Sequence, residues 1–237
     1  MPVDQQAFED AVRLFWATRE AQQQKQVASG KIDAGTRGAV TGGGHLNPIA
    51  TLFAQVFRDA GYPLTSIKTQ QQLELPGYYR SQKKWDLLVV HKGSLIAAIE
   101  LKSQVGPSFG NNFNNRTEEA LGSAVDVWRA YEEGVFGDVK PWLGWFFLLE
   151  EAPGSTKPVG IARGLFPVEA VFHGTSYKDR YRIFCQRLVR ERLYDATLMV
   201  TSNKTGFIDE PEPEMSFQRM LAAIQGRIAF MKGLGYP

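Results

Sequence analysis

The stretch KWDLLVVHKGSLIAAIELKS, Lys84 to Ser103, constrains this chain more than any other feature. Trp85–Val90 and Leu95–Lys102 are apolar runs of strand length, and His91-Lys92-Gly93-Ser94 between them is a turn, so the pair predicts a β-hairpin. Side chains alternate along a strand with period two. Glu100 and Lys102 therefore share one face, and Leu101 turns into apolar packing on the other. Hairpin pairing brings Asp86, at the start of the first strand, beside Glu100. The competing reading is that an E-x-K triplet arises by chance about once in a chain of this size, and that strand Glu and Lys merely keep a surface soluble. Here the charges close the apolar segment LIAAI and open LLVV. Charges on largely buried strands are costly unless satisfied, which favours a site.

The flanking pattern completes a fold. Phe8, Val12 and Phe15 recur at helical spacing between Asp4, a plausible N-cap, and about Ala28. GKIDAGTRGAVTGGGHLN predicts a mobile loop. Asn47-Pro48 opens a helix carrying Ile49, Leu52, Phe53, Val56 and Phe57 that closes near Gly61. Ser66–Leu75 reads as a further strand ending at Pro76-Gly77. Thr117–Glu133 reads as a helix with Leu121, Val125 and Trp128 on one face, and Trp142–Leu149 as a buried strand. Downstream come a helix over Tyr177–Leu193, a strand over Ala196–Thr201 and an amphipathic helix over Ser216–Leu234. The stripe of that last helix (Phe217, Leu221, Ile224, Ile228, Met231) serves packing or subunit contact. The order predicts an α/β fold, a mixed central β-sheet flanked by helices.

Two hard carboxylates beside a cation suit one task well. Asp86 and Glu100 would hold Mg²⁺, which keeps several waters and takes a substrate phosphate as a further ligand. The metal would polarise the phosphate and acidify a bound water. Lys102 would position or help activate that water and offset charge on the phosphorane. The expected substrate is DNA. Net charge is only +2, but Thr65–Arg116 holds seven basic residues against three acids, and a second basic stretch with Arg180, Arg182, Arg187 and Arg190 runs from Lys178 to Arg192. Such groups could neutralise phosphates.

GPSFGNNFNNR, Gly106 to Arg116, follows directly from the strand that carries Glu100 and Lys102. Asn bonds bidentately to adenine and Arg to guanine, so Asn111, Asn112, Asn114, Asn115 and Arg116 are expected to contact DNA. The alternative for each Asn is a turn that satisfies its own backbone and caps the helix at Thr117. Arg80, Lys83 and Lys84 would reach phosphates, whereas Tyr78 and Tyr79 are expected to pack under the sheet. Thr36–Gly44 would close over DNA; lacking a lysine after its final glycine, it is not a nucleotide-binding loop. His45, His91 and His173 lack metal-ligand spacing. Glu20 is a minor candidate for a further acid, the simpler reading being a solvated helix flank. Cys185, the single cysteine, is expected to pack. No run approaches the roughly 18 apolar residues of a membrane span, and MPVDQQAFED has no secretory profile, so no membrane association and a cytoplasmic location are expected.

At these residues the chain resembles the PD-(D/E)xK nuclease superfamily, with Trp85 where that family often has Pro. More specifically, LPGYYR (Leu75–Arg80), WDLLVV (Trp85–Val90) and ELKSQVGPSFGNNFNNRTEEALGSA (Glu100–Ala124) resemble the XhoI family of type II restriction endonucleases. The resemblance covers most of the chain, more loosely outside residues 70–130. It implies a PD-(D/E)xK restriction-endonuclease-like domain over 1–237, with a nuclease core at about 46–150 and a C-terminal elaboration at about 165–237. It further implies a homodimer that cuts double-stranded DNA at CTCGAG with Mg²⁺, leaving 5′-phosphate ends with a 5′ overhang, and a companion adenine DNA methyltransferase. A structure-directed repair or recombination nuclease of the same fold, and a DNA-binding module without catalysis, are the competing readings.

Overall fold

The structure, a computed structural model, describes residues 3–28 and 44–237. The stretch Thr36–Gly44, expected to close over DNA, lies outside these residues except for Gly44. Helix α1 (Gln5–Ala28) begins where Asp4 Oδ1 accepts the Ala7 N–H at 2.9 Å, the expected N-cap. Helix α2 (Asn47–Asp59) has Pro48 in its first turn, where the missing N–H costs nothing. Its Ile49, Phe53, Val56 and Phe57 are buried with Phe8, Val12 and Phe15 of α1.

The central sheet has six strands. In spatial order they are β1 (Ile67–Lys68), β4 (Leu87–His91), β5 (Ser94–Gln104), β6 (Trp142–Glu150), β7 (Ala196–Ser202) and β8 (Ile208–Asp209). β5, β6 and β7 run parallel, while β1–β4, β4–β5 and β7–β8 are antiparallel. The sheet is mixed, as expected. β6 is buried along almost its whole length because helices cover both faces. On one face lie α1, α2 and the last helix, α5 (Phe217–Gly233), over Ile96, Ile99, Leu101, Phe146 and Leu198. The stripe of α5 is therefore used in packing within the chain. On the other face α3 (Phe109–Glu132) and α4 (Tyr177–Arg190) cover Ala98, Trp145, Phe147 and Met199, and Cys185 packs there, fully buried. The capping box of Ser176 and Asp179 starts α4.

Three expectations are corrected. Ser66–Leu75 is not one strand: β1 ends at Lys68, Gln72 takes φ 57°, and the chain re-forms as β2 (Glu74–Pro76), paired with β3 (Gln82–Lys84) in a separate two-stranded ribbon. The polar run Thr69–Gln72 has nothing to bury against the sheet, whereas Leu73 and Leu75 do bury, beneath the ribbon. Helix α3 starts at Phe109 rather than Thr117. Buried Phe109 and the packing of Phe113 against Tyr177 and Tyr181 outweigh the poor helix propensity of the intervening Gly and Asn. The buried face of α3 is Ala120, Ala124, Val127 and Ala130, small residues that admit close approach, while Leu121 and Val125 stay 38% and 39% exposed.

Candidate active site

The pairing of Asp86 with Glu100 depends on one irregularity. The hairpin turns through Lys92 and Gly93, both at positive φ (50° and 78°), the backbone of a two-residue turn. From there His91 pairs with Ser94 and Val90 with Leu95, but Val89 pairs with Ala97, leaving Ile96 as a β-bulge. The shifted register continues through Leu88↔Ala98 to Leu87↔Ile99, so the next position sets Asp86 opposite Glu100. The bulge also reverses the alternation of β5. Ile96 and Ala97 both join the α1–α2 face, and Glu100 and Lys102 emerge on the other one. The buried carbonyl of the bulged Ile96 accepts from Arg227 Nε of α5 at 3.0 Å.

Just before β4 begins, Asp86 Oδ2 accepts the Leu101 N–H at 2.8 Å. Glu100 is only 1% exposed, on a strand position beside Trp145. Its two oxygens are each held by an ammonium: Oε1 by Lys102 and Oε2 by Lys83. Burial would push the Glu100 carboxyl up, but Lys102 and Lys83 together hold it below the usual range. Asp86 is pushed up to about 6, by burial first and by the Glu100 charge second. Lys102 is raised, because Glu100 and Asp86 overcome the effect of its burial. In Lys83 burial prevails and lowers it. Lys83 also lies 4.4 Å above the Trp85 ring. The structure thus brings Asp86, Glu100 and Lys102 together and adds Lys83. Sequence reasoning had placed Lys83 among the phosphate contacts; the signal that sends it inward is its register opposite buried Leu75.

The donor set fits a hard divalent cation. Asp86 and Glu100 supply carboxylate oxygens, and two ammonium groups already show how strongly Glu100 attracts positive charge. Among the described residues no group of three His, Cys, Asp or Glu comes together. Two carboxylates with waters and a phosphate oxygen are an ordinary Mg²⁺ environment.

The expected DNA contacts divide into three sets. Asn111, Asn114 and Asn115 are exposed along the first turns of α3, on a helix rather than a loop, and Asn112 is half-buried. Arg116 is paired with Glu119, whose charge reaches Lys102. Gln104, on the same face of β5 as Glu100 and Lys102, donates from Nε2 to Phe109 O at 2.8 Å and accepts from the Tyr181 hydroxyl, fixing the start of α3 beside the site. The third set is the loop between β2 and β3. Buried Asp126 accepts the Tyr78 and Tyr79 N–H groups, each at 2.8 Å, and Arg80 Nε at 2.7 Å. Tyr78 and Tyr79 are exposed, contrary to the packing expected of them, and Lys84 is exposed opposite Glu74 at the other end of the ribbon.

The second basic stretch is largely engaged within the chain. Lys178 pairs with Glu151 and Asp209, Arg182 with Glu212 and Arg187 with Glu169. Glu20 lines a depression with Trp16, Asn203, Lys204 and Ile208, away from the Asp86 cluster. His45, buried, stands 3.4 Å from Ser103 Oγ on the α1 side of β5, and His91 bonds Ser66 Oγ at 2.8 Å. No helix among the described residues is long and apolar enough to cross a membrane.

Residues 25–210 match the family model described as restriction endonuclease XhoI. The type II restriction enzyme BstVI of Geobacillus stearothermophilus is 42% identical over 212 residues, 85% of this chain and 94% of that protein. AbrI of Azospirillum brasilense, another type II restriction enzyme, is 47% identical over 62% of this chain and 67% of its own. The type II restriction enzyme XhoI of Xanthomonas vasicola is 39% identical over 80% of this chain and 78% of its own. No solved structure matches.

Proposed function

Since the chain belongs to the restriction endonuclease XhoI family, whose model spans residues 25–210, we propose that this type II restriction endonuclease hydrolyses phosphodiester bonds of double-stranded DNA at the cluster of Asp86, Glu100 and Lys102. The observation that carries the reading is the bulged register, which turns Asp86, Glu100 and Lys102 to one face at the end of β5. In this reading Asp86 and Glu100 hold Mg²⁺, which when bound polarises the scissile phosphate and acidifies a water. Leu101 orients the Asp86 carboxylate through its N–H. Lys102, kept charged by the two acids, offsets the negative charge that grows on the phosphate oxygens.

Asn111, Asn114 and Asn115 are assigned to base edges. Spaced three and four residues apart, they stand on the exposed side of one helix, and an α-helix fits the major groove. Asn112 and Arg116 are assigned supporting contacts, Arg116 after exchanging Glu119 for DNA. Arg80 and Lys84 are assigned to phosphates. The family resemblance extends the reading to the palindrome CTCGAG, 5′-phosphate ends with a 5′ overhang, a homodimer, a companion adenine DNA methyltransferase and a cytoplasmic setting. It treats residues 1–237 as one catalytic domain, supported by β7 lying in the sheet beside β6.

The test is incubation of purified protein with an unmethylated plasmid carrying a single CTCGAG, with Mg²⁺ or with chelator, followed by end-mapping. One linear product with a 5′ overhang at that site, absent with chelator, is expected. A smear, or cutting that ignores the site, would overturn the assignment.

A further inference from the structure

Both oxygens of Glu100 already carry a cation. Lys102 reaches Oε1 from the same strand, two residues on. Lys83 reaches Oε2 from the separate ribbon, 17 residues back along the chain. Its ammonium is held at three points: the Glu100 carboxylate, the Lys84 carbonyl at 3.0 Å and the face of Trp85. The side chain is only 15% exposed. A divalent ion held through Oε2 would compete with Lys83 for that oxygen and would repel its charge at close range. Lys83 must therefore yield Oε2 before the ion can use it. What then rewards its ammonium is another anion at the site, and substrate supplies one as phosphate.

We propose that Lys83 is a place-holding cation: it occupies Oε2 of Glu100 in the free enzyme and transfers to a DNA phosphate when substrate arrives. The inference rests on the reading of Glu100 as a metal ligand. Metal binding and DNA binding become linked through this one side chain. Free enzyme takes the ion weakly, DNA-bound enzyme strongly, and by reciprocity the ion tightens DNA binding by the same factor. Lys83 acts on the reaction through Glu100 and is a positioning residue.

The test is calorimetric titration of Ca²⁺, a hard cation with the same oxygen preference, into the full chain with and without a duplex carrying CTCGAG. Wild type, Lys83→Gln, Lys83→Arg and Glu100→Gln are compared. In the wild type the duplex should tighten Ca²⁺ binding by about tenfold or more, within the usual range of coupling. Lys83→Gln, with the charge removed, should bind Ca²⁺ about tenfold more tightly than wild type without DNA and should lose most of the duplex effect. Lys83→Arg, which keeps the charge, should retain both wild-type properties. If Lys83→Gln leaves DNA-free affinity unchanged or weaker while Glu100→Gln abolishes binding, the inference is overturned and the metal assignment stands. If Glu100→Gln binds Ca²⁺ like wild type, the assignment of Glu100 fails, and the inference with it.

Discussion

Asp86 Oδ2 accepts the backbone N–H of Leu101 at 2.8 Å, so the acid is aligned by the strand that carries its partner Glu100. Asparagine can make the same bond through its amide oxygen. The Asp86 carboxyl is pushed up to about 6 by burial and by Glu100, so above that pH its ionisation costs stability relative to the unfolded chain. Asp86→Asn is therefore expected to abolish cutting while leaving metal-free stability at pH 7.5 unchanged or higher by about 1 kcal/mol. Urea unfolding beside a plasmid assay checks this; a destabilised, active variant would refute it.

Lys102 is expected to contribute to turnover rather than to binding. In Lys102→Ala, Glu100 keeps Lys83 and the sheet is untouched. The rate of cutting should fall by at least about 10²–10³-fold, the range seen when one charge-stabilising group is removed. DNA affinity in Ca²⁺, read by fluorescence anisotropy, should change by less than about threefold. Unimpaired cutting would remove Lys102 from the mechanism.

The loop that presents Tyr78, Tyr79 and Arg80 is held by Asp126, and Gly77 is what lets it approach. A Cβ at Gly77 would overlap the Asp126 carboxylate and lie 2.8 Å from the Arg80 carbonyl oxygen. Gly77→Ala should cost about 2 kcal/mol and weaken DNA binding, because the clamp has to open. Asp126→Ala, which leaves two N–H groups and a guanidinium without their acceptor, should weaken DNA binding in the same direction. Equal anisotropy titrations for wild type and both variants would show that this loop does not meet DNA.

His45 provides a pH dependence of known sign. Burial first, and the Arg19 charge second, lower it to about 4. An unfolded chain takes up that proton near 6.5, so the contribution to stability is complete above 6.5 and is lost as pH falls toward 4. The loss is on the order of 2 kcal/mol. His45→Gln should flatten the difference in unfolding free energy between pH 7 and pH 4.5; an unaltered difference would assign the pH dependence elsewhere.

The sequence shows Glu100 and Lys102 on one face because that follows from an i, i+2 spacing within one strand, and it shows Asp86 near Glu100 because the two runs are joined by a short turn. It hides the bulge at Ile96. LIAAI is apolar at every position because both faces of β5 are covered, so no alternation marks where the phase changes. It hides the part played by Lys83 for a related reason: adjacent lysines 83 and 84 read alike, and only the pairing of Leu75 with Lys83 decides which one turns inward. The start of α3 was illegible because Gly and Asn mask a helix that Phe109 and Phe113 anchor from elsewhere in the fold. Glu20 carried only the periodicity of its helix, which says nothing about the distance from α1 to β5.

The bulge at Ile96 makes the chemistry of this sheet a question of parity. With one residue fewer out of register, Glu100 and Lys102 would point among the aliphatic side chains beneath α1 and α2, and Asp86 would face neither. Nothing local in the hairpin settles the matter, yet Arg227, 131 residues further on, grips the carbonyl of the odd residue. A chain still emerging from the ribosome, or cut short before its last helix, has all the acids of the centre but not the bond that fixes their phase. Arg227 thus ties the phase of β5, and with it the face on which Glu100 and Lys102 stand, to the docking of α5.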